Sequence, residues 1–344
     1  MIDFRYHLVS IVAVFLALAI GIVVGSTALK GPLLSGLDRA SKNELRTNKM
    51  LYAHNAQLKN EIAADESFAQ AAESSLLRGL LTGERVVLVL APSTDGGTVA
   101  GVARAVQQAG ATLTGQVVLT PQFFDTRAAN EEALSSTAKE LQPIGISLPH
   151  SITNPQISGQ QAAAQVIATA IVDKDGLVPT LTQNQSQQIL SGFGQAGFLQ
   201  VNGPNGASVL TGQATMAVVI IPGTVPSVTT RGPVNLALIS LTQDLQEASK
   251  GALLAGPLLG SGPHSAIDAV NSGSAGVALT TVDNAETVVG QIIVAQALRE
   301  LLSPHSSPTF YGVRPGTVPS PAPSPVASPS PSSTPSVSKK KAKK

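Results

Sequence analysis

The chain has 344 residues, enough for one or two domains with a sizeable core, and its 22 basic and 21 acidic side chains leave it close to neutral. Arg314, Lys339, Lys340, Lys341, Lys343 and Lys344 stand near the C-terminus with no acid among them, so the remainder is net acidic, which argues against a folded nucleic-acid-binding face. Aromatic residues at 3% with no Trp are too few for stacking platforms, sugar subsites or the girdles of a membrane barrel, and zero cysteines exclude disulfides, thiolate catalysis and cysteine metal sites.

After a short N-terminal segment (1–7), Leu8 to Leu29 runs 22 residues without a charge. At about 1.5 Å per residue such a helix is roughly 33 Å long, which matches a hydrocarbon core of about 30 Å. A cleaved signal peptide is the rival reading, but its apolar region is usually shorter, and Val24-Gly25-Ser26 is a poor cleavage site. A retained anchor in membrane lipid is therefore expected. Ala13, Ala17, Gly21 and Gly25 recur every fourth residue on one face, a small-residue pattern that permits close helix pairing. Membrane helices are also rich in Ala and Gly for other reasons, so this favours self-association without requiring it.

Residues 30–82 read as a stalk. Leu37 to Leu81 holds no proline and is rich in helix formers. A heptad frame puts Leu37, Leu51 and Leu58 at d and Asn48, Asn55, Ile62, Ala69 and Leu76 at a, consistent with a parallel two-stranded coiled coil whose buried asparagines fix register. Glu44 and Asp65 interrupt the d positions, and a single amphipathic helix packed on the next domain is the alternative.

From Gly83 the period changes. Arg85 to Ala91 is a β-branched run, followed by the turn residues Pro92 to Gly97, a helical stretch Thr98–Gln108 and a second strand Ala111–Leu119, the spacing of a βαβ unit. Helices are expected at 130–142, 159–172, 182–196, 233–249, 265–271 and 284–303, and strands at 197–201, 216–221, 252–255 and 277–281. Asp283 and Glu286 look like a capping pair for the last helix. Residues 83–313 thus read as one α/β domain with a mainly parallel sheet. Residues 314–344, proline- and serine-rich and ending in lysines, read as a disordered tail.

Chemistry is sparse. Ser93 to Gly97 lies between a strand and a helix, where backbone amides can hold a phosphate, but no nucleotide-binding glycine motif is present and an ordinary glycine-rich turn is the stronger reading. Asp173-Lys174-Asp175-Gly176 resembles the opening of a calcium loop but has Asn184 where a bidentate Glu is needed. Ser261 and His264 are close in sequence without forming a nucleophile elbow. His7, His54, His150, His264 and His305 and the methionines Met1, Met50 and Met216 contain no local ligand pair. No catalytic residue, metal site or cofactor is evident, and the chain is not expected to be an enzyme.

The order of parts, however, is distinctive. Phe4-Arg5-Tyr6-His7-Leu8-Val9-Ser10 leading into Phe15-Leu16-Ala17-Leu18-Ala19-Ile20-Gly21, then a stalk, then an α/β domain carrying Thr281-Val282-Asp283-Asn284-Ala285-Glu286-Thr287 with Gly290-Gln291 and, later, Phe310-Tyr311-Gly312, resembles the actinobacterial copper transporter family typified by MctB. The resemblance covers residues 1–313. It implies a single-pass envelope protein linked to copper efflux or to pore formation as an oligomer, with copper as transported ion, and it carries no copper ligand onto any residue. One helix cannot enclose a pore, so transport requires a homodimer or higher oligomer. The alternative is a dimeric membrane-anchored scaffold that positions the α/β domain for an envelope protein or wall polymer. Lys30, Arg39, Lys42, Arg46 and Lys49 after the span outweigh Arg5 before it and alone would keep the domain cytoplasmic. The tail composition and the family resemblance point to export, so the expected topology is N-terminus inside, domain outside.

Overall fold

A computed structural model describes residues 4–146, 148, 157–174, 181–224, 227, 229–304 and 306–321, with the side chains of 4, 5, 27–38 and 40 left aside. The expected tail, apart from its first residues, lies outside this set. The chain divides into two units, Met1–Phe68 and Ala69–Lys344. The first consists of most of helix α1 (Phe4–Leu77). Within it Tyr6–Ser26, 21 residues of mean hydropathy 2.9, is long and apolar enough to cross a membrane, and its apolar side chains are unburied by the rest of the protein.

The second unit contains the sheet. Its elements follow as β1 (Arg85–Leu90), α2 (Gly96–Gln108), β2 (Thr112–Leu119), α3 (Ala128–Glu140), α4 (Gly159–Ile171), α5 (Gln183–Gln195), β3 (Leu199–Asn202), β4 (Met216–Ile220), α6 (Arg231–Ala248), β5 (Gly251–Ala255), α7 (Ala266–Asn271), β6 (Thr280–Val282), α8 (Val288–Leu301) and β7 (Phe310–Tyr311). The seven strands lie in the order β3-β2-β1-β4-β5-β6-β7, all parallel to their neighbours except β3, which is antiparallel to β2. The order reverses between β1 and β4, as in doubly wound dinucleotide-binding folds.

Helices cover both faces, which explains why the central strands read as unbroken apolar runs such as VVLVL and MAVVI. Val87 and Val89 of β1, Ala217 and Val219 of β4 and Leu254 of β5 face a core shared with α3, α4, α5, α6 and α7. Their neighbours Val86, Leu88, Met216, Val218 and Leu253 face a second core completed by α2, α8 and the last turns of α1. Each fully buried aliphatic side chain contributes about 1.5–3 kcal/mol relative to exposure, so register is pinned from both sides.

One capping assignment is corrected. The N-cap of α8 is Thr287, whose hydroxyl accepts from the Gly290 amide at 3.0 Å. Asp283 is fully buried and instead accepts from the amides of Val313 and Arg314 at 2.9 and 3.2 Å, while Glu286 accepts from the Leu258 amide. The 277–281 strand is also shifted: pairing with β5 begins at Thr280. β7, unforeseen as a strand, is two residues long.

A candidate site at the carboxyl edge of the sheet

The residues singled out from sequence do not converge. Ala13, Ala17, Gly21 and Gly25 follow one another along α1, and a Cβ added at Gly21 or Gly25 would meet nothing within 4 Å. Asn48, Leu51, Asn55, Leu58 and Ile62 are exposed on α1, and the side chain of Leu37 lies outside the described residues. Of the two later a positions, Ala69 is 8% exposed and packs in the core of the α/β unit, whereas Leu76 is 49% exposed. Ala69 is thus covered within a single copy, while Leu76 stays open to solvent.

Among the described residues no group of His, Cys, Asp and Glu is placed to hold a metal ion. His7, His54 and His264 are exposed and far apart in the chain, Met50 is exposed, and Met216 is sealed in the core; His150, His305 and Met1 lie outside the described residues. Ser261 is fully buried with its hydroxyl donating to the Pro257 carbonyl at 2.9 Å, which removes it as a nucleophile. Asp173 donates its amide to Ala214 O as part of a bridge beside the sheet, and residues 175–180 of the calcium-loop candidate lie outside the described set.

What the fold does assemble is a cavity of about 860 Å³ at the carboxyl ends of β1, β2, β4 and β5. Its construction begins with a repeated local device. Four strands end in a residue followed by proline: Ala91-Pro92, Thr120-Pro121, Ile221-Pro222 and Gly256-Pro257. In each pair the first residue makes a closing hydrogen bond, from Ala91 N to Ile220 O, Thr120 N to Phe198 O, Ile221 N to Ala255 O and Gly256 N to Val282 O. Proline has no N–H to continue the ladder, so the chain turns away there and the strand ends stand apart.

The loops are then held open. Thr94 Oγ1 donates to Ala91 O at 2.7 Å and to Ile220 O at 3.2 Å, tying the exits of β1 and β4 together. Asn130 Nδ2 donates to Gln122 O and Asp125 O, both at 2.8 Å, and Asn235 Nδ2 donates to His264 O at 2.9 Å. Gly260 crosses so near the Pro222 carbonyl that a side chain there would overlap it. The floor and walls are apolar (Ala91, Pro92, Phe124, Ile221, Val234, Leu238).

Charge at the site is internally balanced. Arg127 donates to Asp125 through Nε at 2.7 Å and Nη2 at 2.5 Å, and this pairing lowers the Asp125 pKa and raises that of Arg127. The start of α2, where a phosphate would sit in a nucleotide-binding relative of this topology, is taken by the Asp95 carboxylate. It accepts from Thr98 N at 2.8 Å and from the Thr98 hydroxyl, bonds that hold its pKa below the usual range. The glycine-rich turn is thus a self-capped helix start, as the sequence reading preferred.

The family model described as "Copper transport outer membrane protein, MctB" matches residues 1–320. The chain belongs to the MctB family. Two Mycobacterium proteins named "Copper transporter MctB" are similar over 306 residues, 88% of this chain and 94% of theirs: that of Mycobacterium tuberculosis (strain CDC 1551 / Oshkosh) at 30% identity and that of Mycobacterium leprae (strain TN) at 33%. The MctB match spans helix α1 and every strand and helix of the α/β unit, and the family is named for transport and not for catalysis. For MctB chemistry the cavity offers no soft ligand: among its described lining residues there is no His or Met.

Proposed function

We propose that this chain is a single-pass envelope protein acting in copper transport or copper homeostasis as a homo-oligomer. The family match over residues 1–320 carries the reading. In it, Tyr6–Ser26 crosses the membrane with the N-terminus in the cytoplasm and the α/β unit outside, and copper is the transported ion. One span cannot line a path for an ion, and the described sheet is open, with edges at β3 and β7, so it is no closed barrel either. A conducting path therefore has to form between copies. The face of Ala13, Ala17, Gly21 and Gly25 and the seam of Leu37, Asn48, Leu51, Asn55, Leu58 and Ile62 are the surfaces through which copies would meet.

The lack of a metal-ligand group among the described residues favours a second reading, a dimeric scaffold whose α/β unit binds an envelope protein or wall polymer. Copper flux into proteoliposomes carrying the full-length protein separates the two. Transport predicts flux above empty liposomes that is lost when the chain is truncated at Gly83; flux no greater than the empty vesicles gives the scaffold.

A further inference from the structure

The cavity at the strand-order reversal has no His or Met among its described lining residues, and its construction is that of a ligand site. Open α/β sheets bind ligands in the crevice beyond the carboxyl ends of the strands where the order reverses, and about 860 Å³ falls within the roughly 300–1,000 Å³ of small-molecule pockets. Backbone strain collects around it. Of the three non-glycine residues with left-handed φ among those described, Ser93 (63°) lines the cavity and His264 (68°) precedes the lining residues Ser265 and Ala266. Strain of this kind persists where the surroundings fix it, as the Thr94 and Asn235 hydrogen bonds do here.

The lining also selects the chemistry. Among the described lining residues the charged groups are Arg127 and Asp125, and they neutralise each other. The neighbouring helix start, the natural seat for an anion, is already filled by Asp95. An ion entering the apolar floor would lose its hydration without gaining an unpaired counter-charge. Gln122, Thr224 and Thr230 on the rim offer neutral hydrogen-bonding groups. We propose that this cavity binds an uncharged small organic molecule with an apolar body and a hydrogen-bonding head.

The test uses the full-length protein in lipid nanodiscs and three photoreactive alkyl-diazirine probes sharing one hydrocarbon body and ending in an alcohol, a carboxylate or a trimethylammonium group. Labelled peptides are mapped by mass spectrometry, with the Tyr6–Ser26 helix as the internal reference for labelling from the bilayer. The expected result is saturable labelling of peptides carrying Ala91–Thr94, Pro121–Asn130 or Ile221–Thr224 by the alcohol probe, about ten-fold above either ionic probe. Gln122→Trp and Val234→Trp, which enlarge lining residues after β2 and in α6, should each reduce that labelling by about ten-fold. Val209→Trp, at a separate cavity of about 370 Å³ beside β3, should leave it unchanged. Labelling that is equal for the three probes, that persists in both cavity-filling variants, or that is confined to Tyr6–Ser26 overturns the proposal. Copper flux measured on the same variants reconstituted into proteoliposomes reports separately on transport.

Discussion

Asp283 shows how one buried side chain can organise the segment that follows a strand. Its carboxylate receives two amides from the segment after β7, and a Cβ at Gly312, whose φ of 139° already disfavours other residues, would overlap that carboxylate. Asp283→Ala leaves two amides without their acceptor and should cost about 2–3 kcal/mol, with Gly312→Ala at least as severe, measured by urea unfolding. Costs below about 0.5 kcal/mol for both would show that the contact is dispensable. Asp244 poses the opposite problem. Burial, and secondarily the charge of Glu247, push its pKa from 3.8 up to about 7. A folded pKa above the unfolded one means that the native state holds its proton longer, so stability falls as pH rises from about 4 to 7 and the penalty is complete above that range. Asp244→Asn should therefore stabilise the protein at pH 8, on the order of 2–4 kcal/mol, and do little near pH 4. A melting-temperature difference that is flat across this range rules out the linkage.

The elements repeat this lesson at larger size. Residues 69–77 of α1 belong to the α/β unit: Ala69, Glu73 and Leu77 lie at helical spacing and are buried on it. Glu73 sits 3.6 Å from Arg104 Nε of α2, and Arg104 Nη2 donates to Gln291 Oε1 of α8 at 3.1 Å, so one guanidinium joins three helices. Glu73 Oε1 has no partner. Removing the cation with Arg104→Ala should destabilise by about 2 kcal/mol, and Glu73→Leu should recover most of that loss because the buried carboxylate goes with it. A double variant no better than Arg104→Ala refutes the coupling. Upstream, Leu51→Lys with Leu58→Lys should dissociate oligomers held by the stalk, whereas Leu76→Lys should not, as read by light scattering in detergent. Most element boundaries were legible from period alone, because runs such as Arg85–Leu90 and Met216–Ile220 are buried on both faces. The α8 cap is not legible locally: a carboxylate next to a helix start resembles a cap in sequence, and its partners, Val313 and Arg314, lie about thirty residues downstream.

For the whole molecule, topology is the first question, and the absence of cysteine makes it direct. A single thiol introduced as Gln108→Cys, on the exposed side of α2, should react with a membrane-impermeant maleimide in intact cells; reaction only after lysis reverses the orientation. The family was legible from two separated motifs. The cavity was not, since its walls come from loops after four strands whose adjacency depends on an order the sequence does not encode locally; the strand-X-proline repeat at Pro92, Pro121, Pro222 and Pro257 was the available signal. Asp95 has a consequence for anions. In the doubly wound topology a helix start beside the order reversal commonly receives a ligand's phosphate, whereas here the start of α2 is capped by a carboxylate of the chain itself. Asp95→Ser keeps a helix cap while removing the charge, and inorganic phosphate binding gained in that variant, read by calorimetry, would show that the Asp95 charge keeps an anion from the α2 start; no gain leaves Asp95 a cap alone.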